Sequence, residues 1–274
     1  VLQQPGEDYE LLVINDGSVD DTESLLVTLS SEYAGQFRYL TIENRGLAAV
    51  RNLGIDQTTG QYLIFLDADD VFCDDALKLL REVVQNNPGL GLAVGKHISV
   101  NGDGQQRPAV SLTIPDSPLE RVKRYLLEKK LSLSNGAVAM HRDVFMKYRY
   151  PEKFRNSEDI SMFVHVLSNY SCATVDGYIV YVHKHADSLR HNIALSQEIG
   201  LRVVDEIFDA SRLPADIMSL KDRFVIKRLL SLSRTSYHAG DKKTCRQYFC
   251  RALKLDWTVV FKRSYCWKFL KSLV

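Results

Sequence analysis

Tyr62-Leu63-Ile64-Phe65-Leu66-Asp67-Ala68-Asp69-Asp70 carries the sharpest pattern in the chain. Five bulky residues with strand propensity run directly into three carboxylates spread over four positions. A continuous apolar run of this length predicts a strand buried on both faces, as in an α/β sheet. In such sheets ligands collect beyond the carboxyl ends of the strands, where Asp67, Asp69 and Asp70 would stand. Like charges at one strand tip repel unless a cation neutralises them, and hard oxygen donors suit Mg²⁺ or Mn²⁺. The stretch therefore points to a metal–phosphate site at the end of a central strand. The plainer alternative is a solvated loop in which Asp70 caps a helix starting near Asp74 or Asp75.

On the N-terminal side, Glu10-Leu11-Leu12-Val13-Ile14-Asn15-Asp16-Gly17-Ser18 is a short apolar strand ending in an Asn-Asp-Gly turn. Ser18 or Asp20 can cap the helix that follows, to about Tyr33. A second strand is predicted over 38–42. Asn44-Arg45-Gly46-Leu47-Ala48-Ala49-Val50-Arg51-Asn52-Leu53-Gly54 forms a helix that a flexible turn opens and Gly54 weakens or ends. Thr58-Thr59-Gly60 turns the chain into the acidic strand, and 74–87 is an amphipathic helix closed by Asn-Pro-Gly. Strand and helix alternate as in a doubly wound α/β domain.

The 274 residues, 45% hydrophobic and 25% charged, have an ordinary globular composition with room for one large domain or a domain with an appendage. No apolar run approaches the roughly 20 residues of a membrane-spanning helix. No signal-peptide pattern is present, although the chain opens on Val1 rather than Met. Cysteines 73, 172, 245, 250 and 266 are odd in number and lack metal-ligand spacing, which fits reduced thiols in the cytoplasm. The net charge of +1 hides an asymmetry: residues 219–274 hold fourteen Lys/Arg against three Asp/Glu. An acidic body carries a basic tail.

Three motifs in this order, Glu-Leu-Leu-Val-Ile-Asn-Asp-Gly-Ser, Asn-Arg-Gly-Leu-Ala-Ala-Val-Arg-Asn and Phe-Leu-Asp-Ala-Asp-Asp, resemble the family 2 glycosyltransferases. The resemblance covers roughly residues 1–190. It implies a GT-A (Rossmann-like) α/β fold, a mixed sheet flanked by helices, and inverting, metal-dependent sugar transfer. It implies that Asp16 hydrogen-bonds the base of the sugar nucleotide, where an Asx-turn closing Asp-Gly is the structural alternative and both can hold. Arg51 would lie at the donor pocket, although a helix arginine alone is more often a surface charge. Asp67 would hold the ribose or a metal-bound water. Asp69 would bind Mn²⁺ or Mg²⁺ directly, and the metal would neutralise the diphosphate as the glycosidic bond breaks. Val1-Leu2-Gln3-Gln4-Pro5 is similar to the end of the family's first helix and turn, so the resemblance implies a first strand preceding Val1.

Further strands are expected from Gly91 and over 134–140, a turn at Asn101-Gly102-Asp103-Gly104, and a charged helix over 115–130 on the acceptor side of the sheet. His141 is expected to be structural. Phe154-Arg155-Asn156-Ser157-Glu158-Asp159-Ile160 places an acidic pair at a helix start, which the helix dipole favours on its own. The family resemblance makes the pair catalytic: Asp159 as the base that takes the acceptor hydroxyl's proton and Glu158 as its support, with the two open to exchange. Tyr178 to Leu189 is similar to the family's Tyr-x-x-x-His-x-x-Ser-Leu stretch, which makes His185 a metal or phosphate ligand. His183 would project to the same side.

From 192 onward the pattern is helical, over 196–211, 219–237, 242–254 and 257–273, with Asp241 an N-cap. In the last helix Trp257, Val260, Phe261, Phe269, Leu270 and Leu273 alternate with Lys262, Arg263, Lys268 and Lys271. Core packing is the default for the apolar side, and peripheral contact with an anionic membrane is the alternative. No nucleic-acid recognition motif is present. A haloacid dehalogenase-type phosphatase shares an Asp-x-Asp after a strand, but Asp70-Val71 stands where Gly-Thr is usual. A catalytically inactive scaffold is the other rival, and the presence of Asp67, Asp69, Glu158, Asp159 and His185 together argues against it.

The expectation is thus a catalytic domain over 1–190 and a helical, basic region over 191–274. The chain would transfer a sugar from a nucleotide-sugar, first of all a UDP-sugar, to a glycan or lipid-linked glycan. It would do so in the cytoplasm or at the inner face of the membrane.

Overall fold

The structure is a computed structural model and describes residues 1–6, 8–109, 112–184 and 198–273. In chain order it contains β1 (Leu12–Asn15), α1 (Thr22–Glu32), β2 (Arg38–Thr41), α2 (Leu47–Gln57), β3 (Tyr62–Leu63) and β4 (Val71–Phe72). Then come α3 (Ala76–Asn86), β5 (Leu92–Val100), β6 (Gln106–Pro108), α4 (Pro118–Lys123), β7 (Val138–His141), α5 (Arg142–Lys147), α6 (Glu158–Asn169) and β8 (Cys172–His183). The helices α7 (Arg202–Ile207), α8 (Ala215–Met218), α9 (Lys221–His238), α10 (Lys242–Leu255) and α11 (Arg263–Lys271) follow. Two compact units result, Val1–Ile114 with Ser132–His185, and Pro115–Leu131 with Ala186–Val274.

The first unit holds a parallel pair, β1 with β2, and a mixed six-stranded sheet ordered β3-β7-β5-β8-β4 with β6 on β5. β5 runs parallel to β8 and antiparallel to β7, so the six-stranded sheet is mixed. The register of β5 on β8 shifts around Gly95, where a Cβ would lie 2.1 Å from Ile179 Cγ1 in the core. Gly95→Ala is expected to cost about 1–3 kcal/mol through overpacking, seen as a lower denaturant midpoint at unchanged slope.

The 62–66 run departs from its expected form. Both of its faces are covered: Tyr62, Ile64 and Leu66 pack on the Ala93–Ala139–Ile179 core, while Phe65 meets Phe145 and Tyr150 edge-on at 5.8 and 5.5 Å. Yet only Tyr62 and Leu63 are paired, with His141 and Met140, and Ile64 to Leu66 are half-buried. β3 lies at the end of the sheet order, and a strand paired along one edge loses its ladder where that single neighbour diverges. α2 also runs through Gly54 to Gln57, and a Cβ at Gly54 would meet only Ile14 Cδ1 at an ordinary contact distance of 3.6 Å.

In the second unit the segment expected as one helix over 115–130 is α4 followed by a π-helical turn, Arg124–Glu128. Lys227 of α9 donates to the carbonyls of Leu126 and Leu127 at 2.5 and 3.0 Å, serving the orphan acceptors at that end. Burial pushes the Lys227 amine down to about 8. Leu229, Leu230, Phe249, Ala252 and Val259 form the core of the helical hairpin, and Asp241 caps α10 by accepting from Thr244 N at 3.0 Å.

The predicted 257–273 helix is broken at Lys262 into a 3₁₀ turn, Trp257–Phe261, and α11. The β-branched run Thr258-Val259-Val260 disfavours α-helix, and Asp256 caps the turn through Thr258 N. Core packing of the apolar side, the sequence default, holds for Val259 and Phe269 but fails for Trp257, Val260, Phe261, Leu270 and Leu273, which are exposed. Among the described residues no helix is long and apolar enough to cross a membrane.

Candidate active site

The acidic loop after β3 closes on a turn in which Asp70 N donates to Asp67 O at 3.0 Å. Asp70 does not cap α3, whose first residue is Ala76 and whose N-cap position is Asp75. Its Oδ1 instead accepts from His183 N at 3.0 Å and ties the loop to the end of β8. Burial, with repulsion from Asp67 and Asp69, pushes the Asp70 carboxyl up to about 6 against the opposing pull of the His183 N–H. Asp67 and Asp69 stand exposed in front of it.

This set of oxygen donors fits a hard divalent cation, because Mg²⁺-like ions take one or two carboxylates and complete their shell with substrate phosphates and water. Burial raises the Asp70 carboxyl first and the Asp67 and Asp69 charges add to it, and a cation facing the three carboxylates would offset both. Among the described residues no three His, Cys, Asp or Glu side chains form a ready cage. His185 lies outside the described residues.

Arg51 is the hinge of the site. Its side chain is 5% exposed on the inner face of α2, beside buried Ala48 and Ile55. Nη1 donates to Glu158 Oε1 at 2.7 Å and Nη2 to Asp67 Oδ1 at 3.2 Å, so one guanidinium joins the acidic loop to the acidic pair. Burial alone would lower its pKa; Tyr150, Asp67, Glu158 and Asp159 outweigh burial and hold it above the ordinary value. The guanidinium lies over the Tyr150 ring, 5.3 Å from its centroid. With the Asn135 amide oriented so that its oxygen faces Arg51, it accepts from Nη2 and Nη1 at 3.2 and 3.3 Å. Its nitrogen then donates to Tyr150 Oη at 3.2 Å.

Glu158 and Asp159 open α6 just after Ser157, whose φ of 68° turns the chain sharply into the helix. Glu158 points inward to Arg51 and is buried, while Asp159 is half-buried. The helix dipole favours both charges. For Asp159, burial and then the neighbouring Glu158 charge dominate, and together they push its carboxyl up to about 6, while Arg51 pulls the other way. The geometry sets the two apart: Glu158 is engaged by Arg51 at 2.7 Å, while the Asp159 carboxyl is raised by burial and by the Glu158 charge beside it. That is the condition a general base needs.

Asp16 stands at the tip of β1, and its two carboxylate oxygens accept from Arg45 N at 2.8 Å and Gly46 N at 2.9 Å. It holds the turn that opens α2, rather than the Asx-turn within Asp-Gly, and each oxygen keeps a further lone pair for a ligand. Gly17, at φ 72°, lets the chain pass Asn44 N, where a Cβ would come within 2.8 Å. His141 pairs its Nδ1 with Asp143 N at 3.2 Å at the start of α5, a structural role.

Tyr150, Asn135 and Asn52 were not singled out by the sequence. Asn52 takes both backbone polar groups of Tyr150, accepting from its N at 3.0 Å and donating to its O at 2.9 Å. The adjacency Arg51-Asn52 was the available signal, since neighbouring polar residues on an otherwise apolar helix need buried partners.

The sequence signature described as Glycosyl transferase family 2 matches residues 1–149. An uncharacterized glycosyltransferase of Rickettsia conorii is 26% identical over 176 residues, covering 64% of this chain and 28% of that protein. The poly-beta-1,6-N-acetyl-D-glucosamine synthase of Staphylococcus epidermidis is 36% identical over 96 residues, covering 35% of this chain and 23% of the synthase. The chain thus spans about a quarter of the length of these curated relatives. Among solved structures, S. aureus TarS 1-349 in complex with UDP-GlcNAc superimposes with a TM-score of 0.65 at 17% identity, over 98% of this chain and 82% of that one.

Proposed function

The chain belongs to glycosyl transferase family 2, and from that premise we propose that it is an inverting, metal-dependent transferase. It moves a sugar from a nucleotide-sugar to a hydroxyl of a glycan or lipid-linked glycan acceptor. The observation that carries the proposal is the Arg51 bridge, which brings Asp67 of the acidic loop and Glu158 of the second acidic pair to one guanidinium. Donor-side and acceptor-side carboxylates then belong to one site.

In this mechanism Asp16 and Asp67 would hold the nucleoside, and Asp69 and His185 are the residues that would hold the cation neutralising the diphosphate. Bound Mn²⁺ or Mg²⁺ supplies Lewis-acid neutralisation of the leaving diphosphate. Asp159 takes the proton of the acceptor hydroxyl as its oxygen forms the new bond to C1. The C1–O bond to the diphosphate breaks on the opposite face, and the electron pair leaves with the nucleotide. Arg51 holds Glu158 and Asp67 in place through its two ion pairs. The catalytic unit is assigned to 1–190, apart from the 115–131 segment that packs in the helical unit, and 191–274 to acceptor or membrane placement. UDP is the first donor expectation, supported by the UDP-GlcNAc held by TarS and by the polysaccharide synthase relative. The phosphatase reading gains nothing from these relatives.

Calorimetric titration of UDP-, GDP- and dTDP-sugars, with and without Mn²⁺, tests the site. One nucleotide is expected to bind with at least about tenfold dependence on metal, and Asp69→Ala to remove that dependence, because a carboxylate–metal–phosphate bridge is lost. Equal binding by wild type and Asp69→Ala in both metal conditions would sink the assignment of Asp69.

A further inference from the structure

Among the described residues, seven of the thirteen exposed large apolar side chains lie in one short segment. Leu255, Trp257, Val260, Phe261, Trp267, Leu270 and Leu273 all lie within nineteen consecutive positions, with Trp257 at 68%, Phe261 at 69%, Trp267 at 52% and Leu270 at 54% exposure. They are not a frayed core. Val259 is buried, Phe269 stacks on Phe249 at 4.5 Å between ring centres, and Tyr265 and Cys266 pack inward, so the segment is anchored through a separate inner face. On α11, Arg263, Trp267 and Leu270 are spaced four and three apart and share the face opposite Tyr265 and Phe269. Trp257 and Phe261 meet edge-on at 5.7 Å, and Lys271 Nζ lies over the Trp267 ring at 4.3 Å.

The charge around these side chains has one sign. Residues 251–273 contain Arg251, Lys254, Lys262, Arg263, Lys268 and Lys271 against the single acid Asp256, and Asp256 is occupied in capping the 3₁₀ turn. Clustered apolar exposure marks an interaction surface. Its combination of tryptophan, phenylalanine and leucine with lysine and arginine is the composition of an interfacial segment that seats its rings at the acyl boundary and its cations among anionic headgroups. A protein partner or a second copy would ask for complementary acids or a closed apolar face, and this surface interleaves cations with its rings instead.

We infer that the 3₁₀ turn and α11 form a docking surface for an anionic lipid bilayer, with Trp257, Phe261, Trp267 and Leu270 entering the interface and Lys262, Arg263 and Lys271 meeting the headgroups. The surface belongs to the helical unit alone and does not depend on the transferase chemistry.

The chain carries its own reporter, since Trp257 and Trp267 are its only two tryptophans. The full chain is mixed with phosphatidylcholine vesicles, or with vesicles that also contain phosphatidylglycerol, and both tryptophan emission and co-sedimentation are followed. The anionic vesicles are expected to shift emission to the blue and to bind at least about tenfold more protein, with binding falling as salt rises. The triple substitution Trp257→Ser, Phe261→Ser, Trp267→Ser is expected to lose co-sedimentation about tenfold or more while melting like wild type. A charge variant, Lys262→Glu, Arg263→Glu, Lys271→Glu, keeps the tryptophans and is expected to lose the blue shift. Asp159→Asn should bind vesicles as wild type does, which separates this surface from the catalytic reading. Equal binding to neutral vesicles, retained binding by both variants, or a dimer that the triple substitution dissociates without any vesicle response would overturn the inference.

Discussion

Asp159→Asn is expected to abolish sugar transfer while making the protein more stable. Removing a positioned general base costs typically about 10²–10⁴-fold in rate. The stability gain has the same origin as the basicity, since burial and Glu158 raise the Asp159 carboxyl to about 6. A carboxyl whose folded pKa lies above its unfolded value binds its proton more tightly when folded. Its contribution to stability is therefore full below about pH 4 and is lost as pH rises through about 6. At pH 7.5 the ionised group is a liability, and the isosteric amide relieves it by on the order of 1–3 kcal/mol. Thermal unfolding should show the variant above wild type at pH 7.5, with the gap closing toward pH 4. In the wild type, kcat/KM should rise with pH through about 6 as Asp159 ionises. Asp70 titrates in the same region, so the limb is assigned to Asp159 only if Asp70→Asn keeps it. An Asp159→Asn protein that transfers sugar at the wild-type rate would remove Asp159 from the mechanism.

The fold was legible because its signals are local. The Asn15-Asp16-Gly17 turn, the amphipathic 76–86 helix and the Asp241 cap each depend on residues within a few positions of one another. Where sequence and structure part, the cause is non-local. The 62–66 run carries the pattern of a strand buried on both faces, but how far a ladder extends depends on its neighbours, and among the described residues β3 pairs with β7 alone. Asp70 carries the pattern of a helix cap, but its carboxylate is engaged by His183, 113 residues away.

The acidic residues of the site were visible as residue types at strand and helix ends, and the roles of Glu158 and Asp159 were left exchangeable. No spacing within the sequence states that a helix arginine at position 51 reaches Glu158, 107 positions on. That one contact engages Glu158 and not Asp159, and beside it Arg51 lies over the Tyr150 ring and meets Asn135. The C-terminal segment failed in the opposite direction. An apolar stripe of helical spacing normally means core, and here a break at Lys262 leaves half of the stripe outside.

Arg51→Met is expected to be the most destabilising single change at the site, because it leaves Glu158 buried without its partner. Breaking a buried ion pair on one side costs about 3–5 kcal/mol, more than the pair itself contributes. The double variant is the sharper test. Arg51→Met with Glu158→Gln removes both charges, so most of the lost stability should return, and urea unfolding of the four proteins gives the coupling directly. Arg51→Lys should recover only part, since an ammonium cannot reproduce the fork that serves Glu158 and Asp67 together. The pH profile then separates a positioning role from a merely structural one. Arg51 pulls the Asp159 carboxyl down and the Glu158 charge raises it, so Arg51→Met alone should move the acid limb of kcat/KM to higher pH, while adding Glu158→Gln removes the opposing charge and moves it back. In the double variant these opposing shifts largely cancel, whereas Arg51→Lys keeps the charge and should leave the limb near wild type at lower kcat. If Arg51→Met unfolds at the wild-type denaturant midpoint, the buried ion pair does not hold in solution. A limb that stays fixed in a folded Arg51→Met protein would confine Arg51 to support of the fold.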